Sequence, residues 1–507
     1  APTPAAAAQK PAAPAPTQAP AAQGAAKPGG NLRIAGEVQF DDLDPHTQRV
    51  GWQISAMQNV YSTLIRVGPD LLPQPDLATE WKYTDPQTLA FTLRQGAKFH
   101  NGREVVASDV KYSLERILDP KTGSSYASNL ASIESIETPD DYHVVIHTKR
   151  PDAALLNNLS MAAMGIVPKE VVDANGGTLK TTMVGSGPFM FKENIPDQRL
   201  VLVKNPNYFM PGQPLLDSLT FVPLPNETAR TNALRSGEVD YIEPAPPKDV
   251  RTFRNDPSLT VTGGPNLSFV AISVNTARKP FDDVRVRQAL AWSIDRQAVG
   301  EKAFDGFAQP LFGPPLIPPF WAGSADQYYS KNVDKAKELL AEAGLPNGFK
   351  ATLMTDTTSY HAGLATVAQA EWKNVGIDVE IQNIDSATAV DRWVKKDFDM
   401  YPIRWWGSDF IDPDGAFRPL FSCGASYNTV SFCSKELDDL LDQGVSVTDV
   451  NERKAIYADA MKLLADQQPW LFLVSFDRFQ SMKSYVKGYV AFPNASQYSF
   501  REVWLDK

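Results

Sequence analysis

The chain has 507 residues, 43% of them hydrophobic and 21% charged. That is globular composition and excludes a fibre or a wholly disordered chain. Its 49 basic and 59 acidic residues leave a net charge of −10, which excludes a broad nucleic-acid-binding surface, because the phosphate backbone demands a basic footprint. The longest apolar run near the end, Trp470-Leu471-Phe472-Leu473-Val474, is far shorter than the roughly 20 residues that span a bilayer, so a soluble protein of about two to four domains is expected.

The chain starts Ala1-Pro2-Thr3, without Met, as expected after removal of a leader or trimming. Residues 1–30 are almost entirely Ala, Pro, Gln, Gly and Lys, a segment with nothing bulky to bury. It reads as a disordered tail, either a tether or an inert leftover. A short strand is expected at Asn31–Ala35 and a helix over 52–66. Leu89–Leu93 alternates as a strand and should pair with Tyr142–Thr148. Ser108 opens an amphipathic helix to about Leu118, with Asp109 placed to favour its N-terminus. Leu200–Lys204 and Ser218–Val222 read as strands, and Asn226–Ser236 as a helix stopped at Gly237. Strands at Phe269–Val274, Gly348–Met354 and Val379–Asn383 then alternate with helices at 284–292, 334–343, 364–375 and 387–395. This alternation suggests an α/β lobe with a mostly parallel sheet.

Chemistry-bearing patterns are sparse. There is no GxSxG, HExxH, Walker A or EF-hand pattern, and Gly185-Ser186-Gly187-Pro188 has the wrong spacing for a nucleophile elbow. His143 and His147 lie on one strand, about 13 Å apart at strand rise, too far for one metal. No catalytic residue, metal site or cofactor is therefore assigned, and no carboxylate pair stands out for hydrolysis. Cys423 and Cys433 fit neither a CxxC redox motif nor a zinc site. They are two buried thiols or, in an oxidising compartment, a disulfide closing a short loop.

One ordered set of motifs carries more. It begins with Leu77-Ala78-Thr79-Glu80-Trp81, then Thr88 to Leu93, then Phe99-His100-Asn101-Gly102 and Ser108-Asp109-Val110. It continues with Gly185-Ser186-Gly187-Pro188-Phe189, Asn205-Pro206-Asn207-Tyr208 and Gly237-Glu238-Val239-Asp240. Asn275, Pro280-Phe281-Asp282-Asp283-Val284-Arg285-Val286-Arg287, Ala336 to Gly344 and Val375-Gly376-Ile377 complete it. In this order they resemble the solute-binding proteins of the peptide/opine/nickel class, family 5, which serve ABC importers. Most of these motifs are expected to serve the fold, with Gly185 and Gly187 permitting a tight turn.

The resemblance implies an α/β, two-lobed periplasmic binding protein of the Venus-flytrap kind (type II, cluster C) with an extra sub-domain in the first lobe. Lobe I is expected to comprise 31–68, 186–264 and 485–507, the sub-domain 69–185, and lobe II 265–484. It also implies a periplasmic or extracytoplasmic monomer, a membrane permease as partner, no nucleic acid and no catalysis. The ligand would lie between the lobes, against Glu37, Val38, Gln39, Tyr126, Arg404, Trp405, Trp406, Gly407 and Asp409. The stretch Leu43-Asp44-Pro45-His46 continues the first of these segments. In peptide-binding members the Asp matching Asp409 pairs with the ligand's ammonium group. The segment matching Trp405 to Gly407 offers backbone hydrogen bonds, so that the peptide is held like an added strand. A short peptide is the expected ligand; an opine, oligosaccharide, aromatic acid or chelated metal is the alternative, and a cleft hydrolase the more distant one.

Overall fold

Two β-sheets, each organised around a largely buried strand, divide the chain into two lobes. The structure is a computed structural model and describes residues 26–37, 39–48, 51–311, 330–356, 359–405, 411–425 and 427–507. The first sheet has seven strands, in the order Leu259–Gly264, Arg478–Lys483, Tyr241–Ile242, Asn31–Gly36, Ser218–Pro223, Arg199–Lys204 and Phe189–Ile195. Asn31–Gly36 runs parallel to both of its neighbours. The second sheet has six, in the order Ala308–Pro310, Trp470–Phe476, Phe269–Val274, Met400–Trp405, Lys350–Thr355 and Asp378–Asn383. Every residue of Phe269–Val274 is buried, as expected for a strand covered on both faces.

The second sheet is mixed, which corrects the expectation of a mostly parallel one. Only Lys350–Thr355 pairs in parallel, with its two neighbours. Phe269–Val274 is antiparallel to the strands on both sides of it. Alternation of strands and helices along the chain does not set strand direction when a strand returns from far away, as Trp470–Phe476 does.

The extra sub-domain of the first lobe holds a four-stranded antiparallel sheet, Ala78–Asp85, Thr88–Leu93, His143–Thr148 and Ile133–Asp140. Thr88–Leu93 alternates half-buried and buried residues along its length, the period of a sheet covered on one face. The helix Ala107–Leu118 packs beneath, and the Asp109 carboxylate accepts the Val106 amide at its N-terminus.

The family motifs act as fasteners. Half-buried His100 ties its own motif to another: its Nδ1 accepts the Gly185 amide at 3.3 Å and its Nε2 donates to the Gly187 carbonyl at 3.0 Å. Burial pulls this imidazole down to about 4. The two glycines are needed for close approach rather than for a turn. A Cβ on Gly185 would lie 2.2 Å from the Val60 carbonyl oxygen, and one on Gly187 would lie 2.7 Å from Val60 backbone atoms. The same contact shortens the helix expected over 52–66. It ends at Met57, because the Asn59 and Val60 carbonyls are taken by the amides of Phe189 and Gly187.

The chain crosses between lobes twice, at 265–268 and at Asp477. Residues 478–483, expected within lobe II, belong to lobe I: Arg478–Lys483 is hydrogen-bonded into the first sheet. A single polar residue separates it from Trp470–Phe476, so the two strands read as one run. The crossings are stitched together: Asn266 donates its side-chain amide to the Phe476 carbonyl at 2.8 Å and accepts the Ser268 amide.

Candidate ligand-binding cleft

Glu37 and Arg404 reach the cleft from opposite lobes. Glu37 directly follows Asn31–Gly36 in the first sheet, and Arg404 stands near the end of Met400–Trp405 in the second. Glu37 lies 3.8 Å from Nη2 of Arg230. Arg230 is buried on the helix Glu227–Ser236 and donates Nη1 to the Leu224 and Pro225 carbonyls. The Arg404 guanidinium lies over the Tyr360 ring, 4.8 Å from its centroid, a cation–π contact that holds the side chain in place. Burial lowers the pKa of Arg404, while Tyr360 and Glu37 across the cleft act in the opposite direction. Glu37 thus faces cationic groups of both lobes.

Behind Arg404 a buried polar group fixes the wall. Asp356 accepts a hydrogen bond from Tyr401 Oη at 2.9 Å, and its other oxygen lies 2.9 Å from Nδ1 of His361. Trp405 is half-buried, with its ring edge-on to Tyr427 at 5.6 Å and to Trp470 at 6.0 Å. Trp393 is buried and donates to Ser273, so it is packing.

The expected site residues separate into three groups. Glu37, Arg404 and Trp405 are brought to the cleft. Gln39 is exposed, and its carbonyl is held by the Gln53 side chain. Tyr126 is buried within the sub-domain core. Val38, Trp406, Gly407 and Asp409 lie outside the described residues. Asp44 and His46, which continue the first ligand segment in sequence, belong to the interior. Arg116 pairs with both Asp44 oxygens at 2.9 and 2.6 Å. Removing one partner of such a buried pair costs about 3–5 kcal/mol, so this is a fold contact. Cys423 and Cys433 are disulfide-bonded. Among the described residues no group of three or more His, Cys, Asp or Glu is arranged to hold a metal ion, and no helix is long and apolar enough to cross a membrane.

Tyr360, Arg230 and the Asp356–His361 pair were not found from sequence. A Tyr beside a His on a helix carries no signal of its own, and Arg230 looks like any helix-surface cation.

Comparison with known proteins fits this geometry. Residues 73–428 match the family described as bacterial extracellular solute-binding proteins, family 5. Di/tripeptide-binding protein 2 of Pseudomonas aeruginosa is 29% identical, over 94% of this chain and 95% of its own. Two solved structures, each 30% identical, superpose with TM-scores of 0.83. One is the binding protein AgaA of A. tumefacien R10 with agropinic acid, covering 94% of this chain and 99% of its own. The other is DppA of Helicobacter pylori with the peptide STSA, covering 95% and 99%. The motif order, the two lobes and these matches agree, and the chain belongs to the family 5 extracellular solute-binding proteins.

Proposed function

We propose that this protein is the extracytoplasmic receptor of an ABC importer that captures a short peptide between its lobes and delivers it to the membrane permease. The observation that carries the reading is the pair Glu37 and Arg404, a carboxylate and a guanidinium set on opposite lobes. A free peptide is a zwitterion, and each of its ends needs an opposite charge once it leaves water. Asp409 is assigned as the partner of the ligand's ammonium group. Trp405 to Gly407 supply main-chain hydrogen bonds that ignore side chains, so specificity is broad. The ligand bridges the lobes and shifts the population toward the closed form. No bond is made or broken, and a peptide mixture incubated with the protein stays intact. The protein acts as a monomer without a cofactor, and residues 1–30 serve as a spacer.

Native mass spectrometry of the purified protein, followed by identification of what denaturation releases, tests the reading. Released masses spaced by amino-acid residues support it. A single discrete mass supports the second reading, a dedicated receptor for a non-peptide solute, which the likeness to the agropinic acid complex favours. Asp409→Ala is expected to weaken an amine-bearing ligand by about 2–5 kcal/mol, the cost of removing one partner of a desolvated charge pair. Unchanged affinity by calorimetry removes Asp409 from the site.

A further inference from the structure

A second feature lies at the seam between the sub-domain and lobe II. Ser128, Ser132, Asp152 and Asn158 from the sub-domain and Asp414 and Arg418 from lobe II enclose a cavity of about 470 Å³. That falls within the range of roughly 300–1,000 Å³ typical of small-molecule pockets. Along the chain its lining stands next to expected ligand-site segments. Ser128 is two residues beyond Tyr126, and Ala425, which also lines it, is two residues before Tyr427, the ring that meets Trp405. Contacts from one lobe to the other border the cavity: the Ala153 amide donates to the Val445 carbonyl at 2.8 Å, and Arg150 meets Asp442 at 3.2 Å.

The charges in its wall are unequally matched. Arg418 is shared by Asp414 and Asp442, each at 2.9 Å. Arg150 is taken by Asp442, and Lys149 donates to the Ala131 carbonyl at 2.9 Å. Asp152 differs. It is only 8% exposed, and its oxygens accept from the Ser132 hydroxyl and the Ala154 and Leu155 amides. Among the described residues no cation pairs with it. Burial raises its pKa, and the nearby Asp412 adds to the rise. The Asp414 carboxyl is pushed up to about 6 by burial, against the pull of Arg418. A buried carboxylate without a countercharge is costly to keep ionised, and a cation delivered into the cavity would relieve that cost.

Resting on the peptide reading, we propose that this cavity is a compartment of the ligand site that receives a positively charged side chain of the bound peptide, with Asp152 as its carboxylate. The lining exposed outermost, Lys149 and Arg150, is itself basic and already engaged, so the attraction is confined to the inner wall. Size and charge together favour an arginine or lysine side chain over an aliphatic one.

The test is calorimetry on the intact protein with Ala-Ala-Ala and the three tripeptides in which Arg replaces one Ala. One Arg peptide is expected to bind at least about tenfold more tightly than Ala-Ala-Ala. Asp152→Asn, which keeps the acceptors for the Ala154 and Leu155 amides, is expected to abolish that gain while leaving Ala-Ala-Ala within about twofold. Ala131→Leu, at an exposed position of the lining, narrows the cavity and is expected to reduce the same gain without touching the carboxylate. The proposal is overturned if no Arg peptide exceeds Ala-Ala-Ala, or if the gain survives both substitutions. If none of the four peptides binds, the peptide reading itself falls, and this inference falls with it.

Discussion

The crossing region and the seam between the sub-domain and lobe II are built differently. Beside the crossing, within lobe I, Glu243 is buried and anchors the strand that leaves it. It accepts from Arg478 at 3.0 Å, Gln480 at 3.1 Å and Tyr241 at 3.0 Å. At the opposite seam the contacts among the described residues include the Arg150–Asp442 pair, with both side chains about half exposed, the Asn157–Asp412 hydrogen bond at 3.2 Å and one backbone bond from Ala153. Buried charge pairs are expensive to break, whereas exposed ones contribute about 0–1 kcal/mol. The strand leaving the crossing is therefore anchored firmly in lobe I, while the seam between the sub-domain and lobe II is held weakly.

The largest expected effect breaks the firm end. Arg478→Met leaves the Glu243 carboxylate buried without its cation, and chemical denaturation should register a loss of about 3–5 kcal/mol. A loss below 1 kcal/mol would place the two ends on a par and remove the contrast.

A second effect concerns the fasteners of the first lobe. His100 and His46 are both pulled down to about 4 by burial. Between that value and the ordinary 6.5 the unfolded chain binds more protons than the folded one, so stability rises with pH across the window and falls on acidification. Each histidine contributes on the order of 3 kcal/mol of this slope at its acid end. Melting curves from pH 7 to 4 should be flatter for His100→Gln than for the parent protein. Equal slopes would show that His100 does not titrate differently on folding.

Reduction of the Cys423–Cys433 bond acts close to the seam, since the loop it closes carries Ala425. It should cost roughly 2–3 kcal/mol of stability in the chain-entropy account, measured by the melting point with and without reductant. The smallest effect is the most informative about the seam. Arg150→Ala should change stability by less than about 1 kcal/mol, yet stopped-flow release of a bound peptide should be faster. An unchanged release rate would mean that the seam contributes nothing to retention.

Much of the first lobe was legible in the sequence because its motifs are local. Thr88–Leu93 alternates strictly, Asn226 and Gly237 punctuate their helix, and Phe99-His100-Asn101-Gly102 announces a turn. What escaped depends on distant partners. Arg478–Lys483 changes sheets after Asp477 with no break in its apolar pattern. The helix begun at Gly51 stops at Met57 for carbonyls claimed by Gly187 and Phe189. Glu37, Arg404 and Trp405 were proposed through their segments, and the structure sets Glu37 and Arg404 on opposite lobes. Asp44 and His46 share the first of these segments in sequence but face Arg116 in the interior, a distinction that only packing makes. Asp152 was missed because its burial depends on packing between the sub-domain and lobe II, which nothing in Arg150-Pro151-Asp152 announces.

Asn266 joins the two crossing segments side chain to backbone, from one to the other. Two connections placed side by side and tied together behave as a single pivot: they permit swinging but resist sliding of one lobe along the other. On the proposed function, closure then follows one arc. A permease that recognises the shut form would accordingly meet one shape, whichever solute is inside.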